Sequence, residues 1–171
     1  MNGVPDSPLD EYAPVEQALV AHNTFIDCKV SLEFGVGAGK KLSVAPQNCR
    51  VIGNLLAPDK WQIFRTHSTP VGFVWADNRL SDTRKPRDPP VPFKQIPLTF
   101  ERDACGLLRP TAPDHIEIAG DSIVSQDIDA HKRNGQNFCG CNDPTTVRRT
   151  PDLATNTGPR WRTVKGDTLE N

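Results

Sequence analysis

Apolar and polar residues alternate most regularly between residues 26 and 36. Six apolar side chains, from Ile26 to Val36, occupy every second position, and polar residues or glycine fill the positions between them. Alternation with a period of two predicts a β-strand with one buried and one solvent-facing side, and it is typical of an antiparallel sheet. The glycines of GAGKK (37–41) then predict a turn, and KLSVA (41–45) predicts the second strand of a hairpin.

Further short strands follow along the chain, separated by turn-forming residues. They are predicted at CRVIGNLL (49–56), WQIFRT (61–66), VGFVWA (71–76), FKQIPLTF (93–100), HIEIAG (115–120) and SIVSQ (122–126). PVEQALVAH (14–22) predicts a short helical element, and no internal repeat is evident. This order of elements predicts an all-β or mainly β fold, an antiparallel sandwich or barrel with a short N-terminal helix.

Proline and apolar residues divide the chain into three predicted parts. Residues 1–14 contain three prolines and predict a flexible arm, and residues 15–130 contain the predicted β-rich domain. From residue 131 to residue 171 large apolar residues are few and without a period, which predicts a polar, disordered tail. The 171 residues therefore suit one domain with tails.

Composition excludes several classes of function. A net charge of −1 gives the chain no overall field that would attract nucleic acid or an anionic membrane. No secretory signal and no long apolar run stands in the sequence, so a cytoplasmic protein is expected. The odd number of cysteines, 5, favours reduced thiols over a disulfide framework.

The sequence contains no recognised set of catalytic residues. The glycine-rich FGVGAGKK departs from the phosphate-loop spacing, and no serine or cysteine lies in a recognised nucleophile motif. His131, Cys139 and Cys141 are weak candidates for a metal, because a Cys-x-Cys pair with one histidine fits structural zinc poorly. We therefore assign no catalytic residue, no metal, no cofactor and no small-molecule ligand.

Charged and aromatic residues supply candidates for contacts with another protein. A proline-rich loop carries Arg84 and Arg87, and the acidic residues Asp127 and Asp129 are interpreted as solvated charge instead of calcium ligands. The full set of interaction candidates is Glu101, Arg102, Arg84, Arg87, Trp75 and Trp161.

The stretch FKQIPLTFERDACG (93–106) resembles the central phrase of a bacterial domain family encoded beside type VI secretion effectors and thought to act as effector adaptors. The matching residues are Phe93, Pro97, Leu98, Phe100, Glu101, Arg102 and Gly106. The upstream VSLEFGVGAGKKLSVAPQNCRVIG is similar to the family's strand, turn and strand, so the resemblance spans residues 28–106. Asp103, Ala104 and Cys105 depart from the family pattern.

These observations lead to one favoured hypothesis and two alternatives. The alternating strands and polar termini favour a non-enzymatic protein-binding module, and the resemblance implies an adaptor whose partner is a secreted effector. One alternative is a small metal- or thiol-dependent enzyme that uses His131, Cys139 and Cys141, or Cys105. The other is a structural subunit of a larger assembly.

Overall fold

The computed structural model describes residues 2–7, 12–39, 41–58, 62–81, 93–103, 106–111, 116–118, 124–133, 137–141 and 144. Within these residues the fold is mainly β, as the sequence predicts. The strands are β1 (Leu19–Ala21), β2 (Thr24–Ile26), β3 (Val30–Phe34), β4 (Arg50–Ile52), β5 (Leu55–Ala57), β6 (Gln62–Thr66), β7 (Val74–Ala76), β8 (Arg79–Ser81), β9 (Lys94–Ile96), β10 (Phe100–Arg102), β11 (Leu108–Pro110), β12 (Glu117–Ile118) and β13 (Asn137–Phe138).

The first nine strands form a coil in which the chain visits three parallel sheets in turn. The first sheet has the order β1-β4-β7, the second β2-β5-β8-β9 and the third β3-β6. Every pairing among these strands is parallel. Three short strands per turn, each stacked on the equivalent strand of the next turn, make this part of the chain a parallel β-helix.

The expected antiparallel arrangement is wrong for this coil. Alternation along one strand shows that its two faces differ, but it carries no information about the direction of the neighbouring strand. β3 pairs in parallel with β6, and Val44 forms an isolated bridge with Gly3, so the predicted hairpin around residues 37–41 does not form. Antiparallel pairs occur only later among the described strands, between β10 and β11 and between β12 and β13, and no described sheet closes into a barrel.

The short helix predicted over residues 14–22 is also wrong. β1 lies in that stretch and pairs with β4. Gln17 and His22 have φ angles of 54° and 51°, which interrupt a right-handed helix at both ends of the apolar run. No helix among the described residues has the length and apolar character needed to span a membrane.

The inside of the coil is the first of two apolar cores. All three sheets contribute to it, and aromatic side chains complete the packing, among them Phe34 and Trp75, whose rings make an edge contact at 5.4 Å. Val51 is 1% exposed and Leu56 is 0% exposed in this core. The buried members are Leu32, Phe34, Val51, Leu56, Ile63 and Leu80.

A ladder of asparagines supports the turn between the first and second sheets. Asn23, Asn54 and Asn78 occupy the same position in three successive coils. Asn54 Oδ1 accepts a hydrogen bond from the Asn23 backbone N–H at 3.0 Å, and Asn78 Oδ1 accepts one from the Asn54 N–H at 3.0 Å. The side-chain amides of Asn54 and Asn78 donate to Val20 and Val51 one coil back. Each coil therefore satisfies buried backbone groups of the preceding one.

The second core lies on the outer face of the second sheet. Leu55 is adjacent to Leu56 on β5 but points to the opposite side, where later segments cover it completely. Its buried members are Leu55, Ile96, Leu98, Ile116, Phe138 and Cys139. Ile96 and Leu98 lie here and Phe100 packs against the cluster. Phe138 and Cys139 belong to the stretch predicted as a tail, and the domain boundaries at residues 14 and 130 remain predictions.

Candidate functional site

An exposed polar cluster lies on the third sheet. Parallel pairing places Arg65 of β6 directly beside Glu33 of β3, and His67 follows at the end of β6. Arg65 Nη1 lies 3.4 Å and His67 Nε2 lies 2.8 Å from Glu33 Oε1. Arg65 also donates from Nε and Nη2 to Gln62 Oε1. The side chains of Glu33, Arg65 and His67 are 34%, 43% and 39% exposed, so a ligand can reach them from solvent.

The chemistry of this third-sheet cluster suits a polar, hydroxyl-rich or anionic ligand. The hydrogen bond from His67 is the main reason that the pKa of Glu33 lies below its ordinary value, and the Arg65 charge lowers that pKa further. Glu33 is therefore an acceptor for hydroxyl groups at neutral pH, and Arg65 is a permanent donor for hydroxyls or carboxylates. Glu33 also fixes the position of the His67 imidazole.

A second charged group, centred on Arg109, is buried. Arg109 of β11 donates to Asp129 through both terminal nitrogens, at 2.6 and 3.1 Å, and to Asp103 Oδ2 through Nε at 2.6 Å. The side chains of all three residues are at most 4% exposed. Hydrogen bonding to Asp129, with a contribution from Asp103, raises the pKa of Arg109 above its ordinary value. This group connects β11 to two loops and is inaccessible to a ligand.

Asp127, Asp129 and His131 bring three possible metal ligands within 4.8 Å of one another. Asp129 is already held by the guanidinium of Arg109, and Asp127 Oδ1 accepts the backbone N–H groups of Asp129 and His131. His131 Nδ1 lies 3.4 Å from Asp127 Oδ2. Because a permanent cation already neutralises one carboxylate, the group fits a loop-supporting role better than a cation site.

Cys139 and Cys141 follow β13, and both form hydrogen bonds with residues of the coil. The Cys139 thiol donates to the backbone oxygen of Asp77 at 2.8 Å, and desolvation is the main reason that the pKa of Cys139 is raised to about 12. The Cys141 N–H donates to Thr24 Oγ1 at 3.0 Å. Among the described residues, neither cysteine belongs to a group that could hold a metal with His131. A buried, protonated thiol is a poor nucleophile.

His22 is another buried titratable group near β13. Its Nδ1 lies 3.0 Å from the backbone oxygen of Phe138, and its ring lies against Gly53, where a Cβ would approach the ring to 2.9 Å. Burial is the main reason that the pKa of His22 lies below its ordinary value, and nearby Arg133 lowers it further. Arg133 itself donates to the backbone oxygens of Phe138 and Gly140.

The interaction candidates taken from the sequence are scattered in the structure. Glu101 and Arg102 are exposed on β10, and Arg102 Nη1 donates to the Gly106 oxygen at 2.7 Å, so it ties down its own loop. Trp75 packs against the first core. Cys105 and three of the interaction candidates, namely Arg84, Arg87 and Trp161, lie outside the described residues.

Sequence reasoning missed the third-sheet cluster. Alternation placed Glu33 on the solvent-facing side of its strand, and QIFRTH (62–67) placed Arg65 and His67 in or beside another. Only the parallel register of β3 and β6 brings the three side chains together. A recurring pattern could have indicated that register: HNTFI, GNLLA and DNRLS share an asparagine that precedes a short strand, and each begins a new second-sheet strand.

Comparison with known proteins gives two kinds of similarity. The family model described as Chondroitinase B matches residues 1–67. A structure of the PL6 family alginate lyase AlyGC is 32% identical over 67% of this chain, with a TM-score of 0.62. A mutant of the same lyase gives 31% identity and a TM-score of 0.61 over 67% of this chain. The chain is similar to polysaccharide lyases.

The match covers only a small part of the alginate lyase. This chain spans 16% of the length of each of the two alginate lyase structures. A search of curated proteins returned no match.

These similarities overturn the adaptor hypothesis. The resemblance of residues 28–106 to a type VI secretion adaptor family is wrong, because the matched family model and the similar structures belong to polysaccharide lyases. The residues of FKQIPLTFERDACG that carried it form β9, β10 and the loops around them, and Leu98 and Phe100 are explained by packing in or against the second core. The expectation of a protein partner and no small-molecule ligand is wrong for the same reason, since polysaccharide lyases act on carbohydrate.

Proposed function

We propose that this chain is a β-helical segment of a polysaccharide lyase and that it binds an acidic polysaccharide. The observation behind the proposal is 32% identity to an alginate lyase over 67% of this chain, with agreement of the backbone at a TM-score of 0.62. Alginate is an acidic polysaccharide, and the second similarity is to a chondroitinase. Elimination next to a uronate carboxylate is the reaction class proposed for the whole enzyme, and carbohydrate binding is the part proposed for this chain.

The third-sheet cluster supports this proposal. Its side chains carry planar polar groups and lie side by side on paired strands, which suits the repeating hydroxyls of a sugar chain. Arg65 adds a fixed positive charge that favours a carboxylate.

Binding to defined polysaccharides tests the proposal. Isothermal titration of the purified chain with alginate and with chondroitin sulfate should give saturable binding that weakens with salt, whereas dextran, a neutral polymer, should give none. Saturable binding to none of the acidic polymers, or equal binding to dextran, would contradict it.

Two variants locate the binding surface. Arg65→Gln should weaken alginate binding about tenfold, because a hydrogen bond to a charged group contributes about 1.5 kcal/mol and 1.4 kcal/mol is a factor of ten. Arg50→Gln makes the same charge change at an exposed position of the first sheet and should leave the affinity unchanged. Equal losses in both variants would mean that only the general charge of the chain matters.

A further inference from the structure

The backbone holds His67 in a fixed place within the third-sheet cluster. Its N–H donates to the Phe34 oxygen at 2.9 Å, which continues the parallel pairing of β3 and β6 by one residue. The next residue is held as well, because Ser68 Oγ donates to Asn2 Oδ1 at 2.7 Å. The imidazole therefore lies beside Glu33 in a defined position, and 39% of the His67 side chain is exposed to solvent.

The contact with Glu33 decides which nitrogen of the imidazole takes up a proton. Glu33 is ionised at neutral pH, because the hydrogen bond from His67 and the charge of Arg65 keep its pKa below the ordinary value. An ionised carboxylate only accepts hydrogen bonds, so Nε2, 2.8 Å from Glu33 Oε1, carries the hydrogen of the neutral imidazole. A second proton then binds at Nδ1, which has no hydrogen-bond partner among the described residues. Protonation therefore adds a donor and leaves the Glu33 contact intact.

Protonation of His67 also sets the charge of the cluster. Arg65 cancels the charge of Glu33, so the three side chains are together neutral with an uncharged imidazole and positive with an imidazolium. In the part of the chain that the structure describes, no further charged side chain of β3, of β6 or of the turn after β6 forms an ion pair with these three residues. Histidine is also the side chain whose ordinary change of charge falls between about pH 5 and pH 8.

The cluster keeps polar groups for a ligand in both charge states. Arg65 uses Nε and one N–H of Nη2 on Gln62, and one N–H of Nη1 on Glu33, so each terminal nitrogen keeps a second N–H. Glu33 accepts both of its contacts on Oε1, and no described residue donates to Oε2. A ligand carboxylate can therefore bind at Arg65 and a hydroxyl at Glu33, and an imidazolium supplies a second cationic donor beside them.

We propose that His67 makes polysaccharide binding depend on pH, because the third-sheet cluster binds a carboxylate-bearing sugar more tightly with an imidazolium than with a neutral imidazole. This inference rests on the proposed function, since it concerns the same surface. Affinity rises as the pH decreases, as long as Glu33 and the carboxylates of the ligand stay ionised. Coupling between two binding events is reciprocal, so the ligand in turn favours the protonated imidazole, and the complex takes up protons as it forms.

Isothermal titration with alginate at about pH 5.5 and at about pH 8 tests the coupling. The wild-type chain should bind about tenfold more tightly at the lower pH, the factor that one hydrogen bond between charged groups supplies. His67→Gln keeps a donor for Glu33 but cannot gain a charge, so its two affinities should be nearly equal. His131→Gln is the matched control, because His131 also lies beside a carboxylate, 3.4 Å from Asp127 Oδ2, but outside the third sheet. This control should keep the wild-type difference.

Proton uptake supplies a second readout that needs no variant. Titrations at about pH 6.5 in two buffers of different ionisation enthalpy should give different apparent enthalpies, because the buffer supplies the proton that the complex takes up. Equal wild-type affinities at the two pH values, or no proton uptake, would overturn this inference and leave the proposed function standing. The same holds for a full difference in His67→Gln or a lost difference in His131→Gln. Absence of alginate binding at both pH values would overturn the inference and the proposed function together.

Discussion

Between Leu19 and Ile96 the described strand pairs are parallel, whereas between Phe100 and Phe138 they are antiparallel. The parallel coil is held by repetition. Each turn stacks the same apolar positions on the turn before, and each turn adds one asparagine to the ladder. The later segment has no repeat, and it is held by individual side chains: the Arg109 ion pairs, the Arg133 contacts with backbone oxygens, and the His22 contact with Phe138.

The two regions bury polar groups by different means. In the coil, neutral amides satisfy backbone groups, and every partner is itself part of the repeat. In the C-terminal segment, full charges are buried, and their desolvation is offset only while both partners are present. Loss of one group should therefore be more damaging in the later segment than in the ladder.

The largest expected effect is at Arg109. Arg109→Leu leaves the buried carboxylates of Asp103 and Asp129 without their cation, and we expect the free energy of unfolding to fall by about 3–5 kcal/mol. Urea unfolding followed by circular dichroism measures it. Arg102→Leu, on an exposed residue of β10, should change it by less than about 1 kcal/mol. Similar small changes in both variants would show that the buried ion pairs do not hold the segment.

Leu55 and Leu56 are neighbours on β5 and pack into different cores. Leu55→Ala and Leu56→Ala should each cost about 3 kcal/mol, because both residues are 0% exposed and each truncation leaves a cavity. Hydrogen exchange distinguishes them: Leu55→Ala should speed exchange in β12 and β13, and Leu56→Ala should speed it throughout the coil. Identical exchange patterns would mean that the cores unfold as one unit.

The ladder should show a smaller effect that depends on position. Asn54→Ala removes a completely buried amide that serves two coils, and we expect a loss of about 2 kcal/mol. Asn23→Ala, at the exposed end of the same ladder, should cost less than about 1 kcal/mol. Thermal unfolding of the two variants side by side makes the comparison, and equal losses would argue against a cooperative ladder.

The smallest effect expected is the pH dependence contributed by His22. Its pKa is lowered in the folded chain, so between that value and the ordinary value of 6.5 the unfolded chain binds more protons. Stability from His22 is complete above pH 6.5 and falls as the pH decreases through this window. His22→Gln should flatten the dependence of the unfolding free energy on pH in this range, and an unchanged profile would remove His22 as its cause.

The positions of several strands were predictable from the sequence, but β1, β8, β11 and β13 were not predicted, and neither were the strand partners. CRVIGNLL contains β4 and the first two residues of β5, and VGFVWA contains β7, because β-branched and apolar residues in short runs between turns favour extended backbone. The long strand predicted from Ile26 to Val36 is shorter, since Asp27 adopts a φ of 48° and turns the chain from the second sheet to the third. Parallel direction depends on contacts one whole coil apart, which a local pattern does not contain.

The sequence could place individual residues of the candidate site on a polar face, but it could not show which residues lie together. Glu33 could be placed on a polar face from alternation alone, but its neighbours come from a strand one coil later. Cys139 and Cys141, which drew attention by their spacing, are explained by packing and by backbone hydrogen bonds. The two cysteines that the sequence singled out therefore stabilise the fold. The third-sheet cluster could be recognised only once the parallel register of β3 and β6 was known.

Mapping of alginate contacts by NMR shows whether the chain binds a polysaccharide through its third sheet. Addition of alginate oligosaccharides to the labelled chain should shift the amide and side-chain signals of Glu33, Arg65 and His67, while signals of the β12–β13 pair stay unchanged. Saturating shifts confined to the third sheet are the predicted result. Absence of any shift at saturating oligosaccharide, or shifts confined to β12 and β13, would contradict the assignment of this chain as a polysaccharide-binding segment of the β-helix.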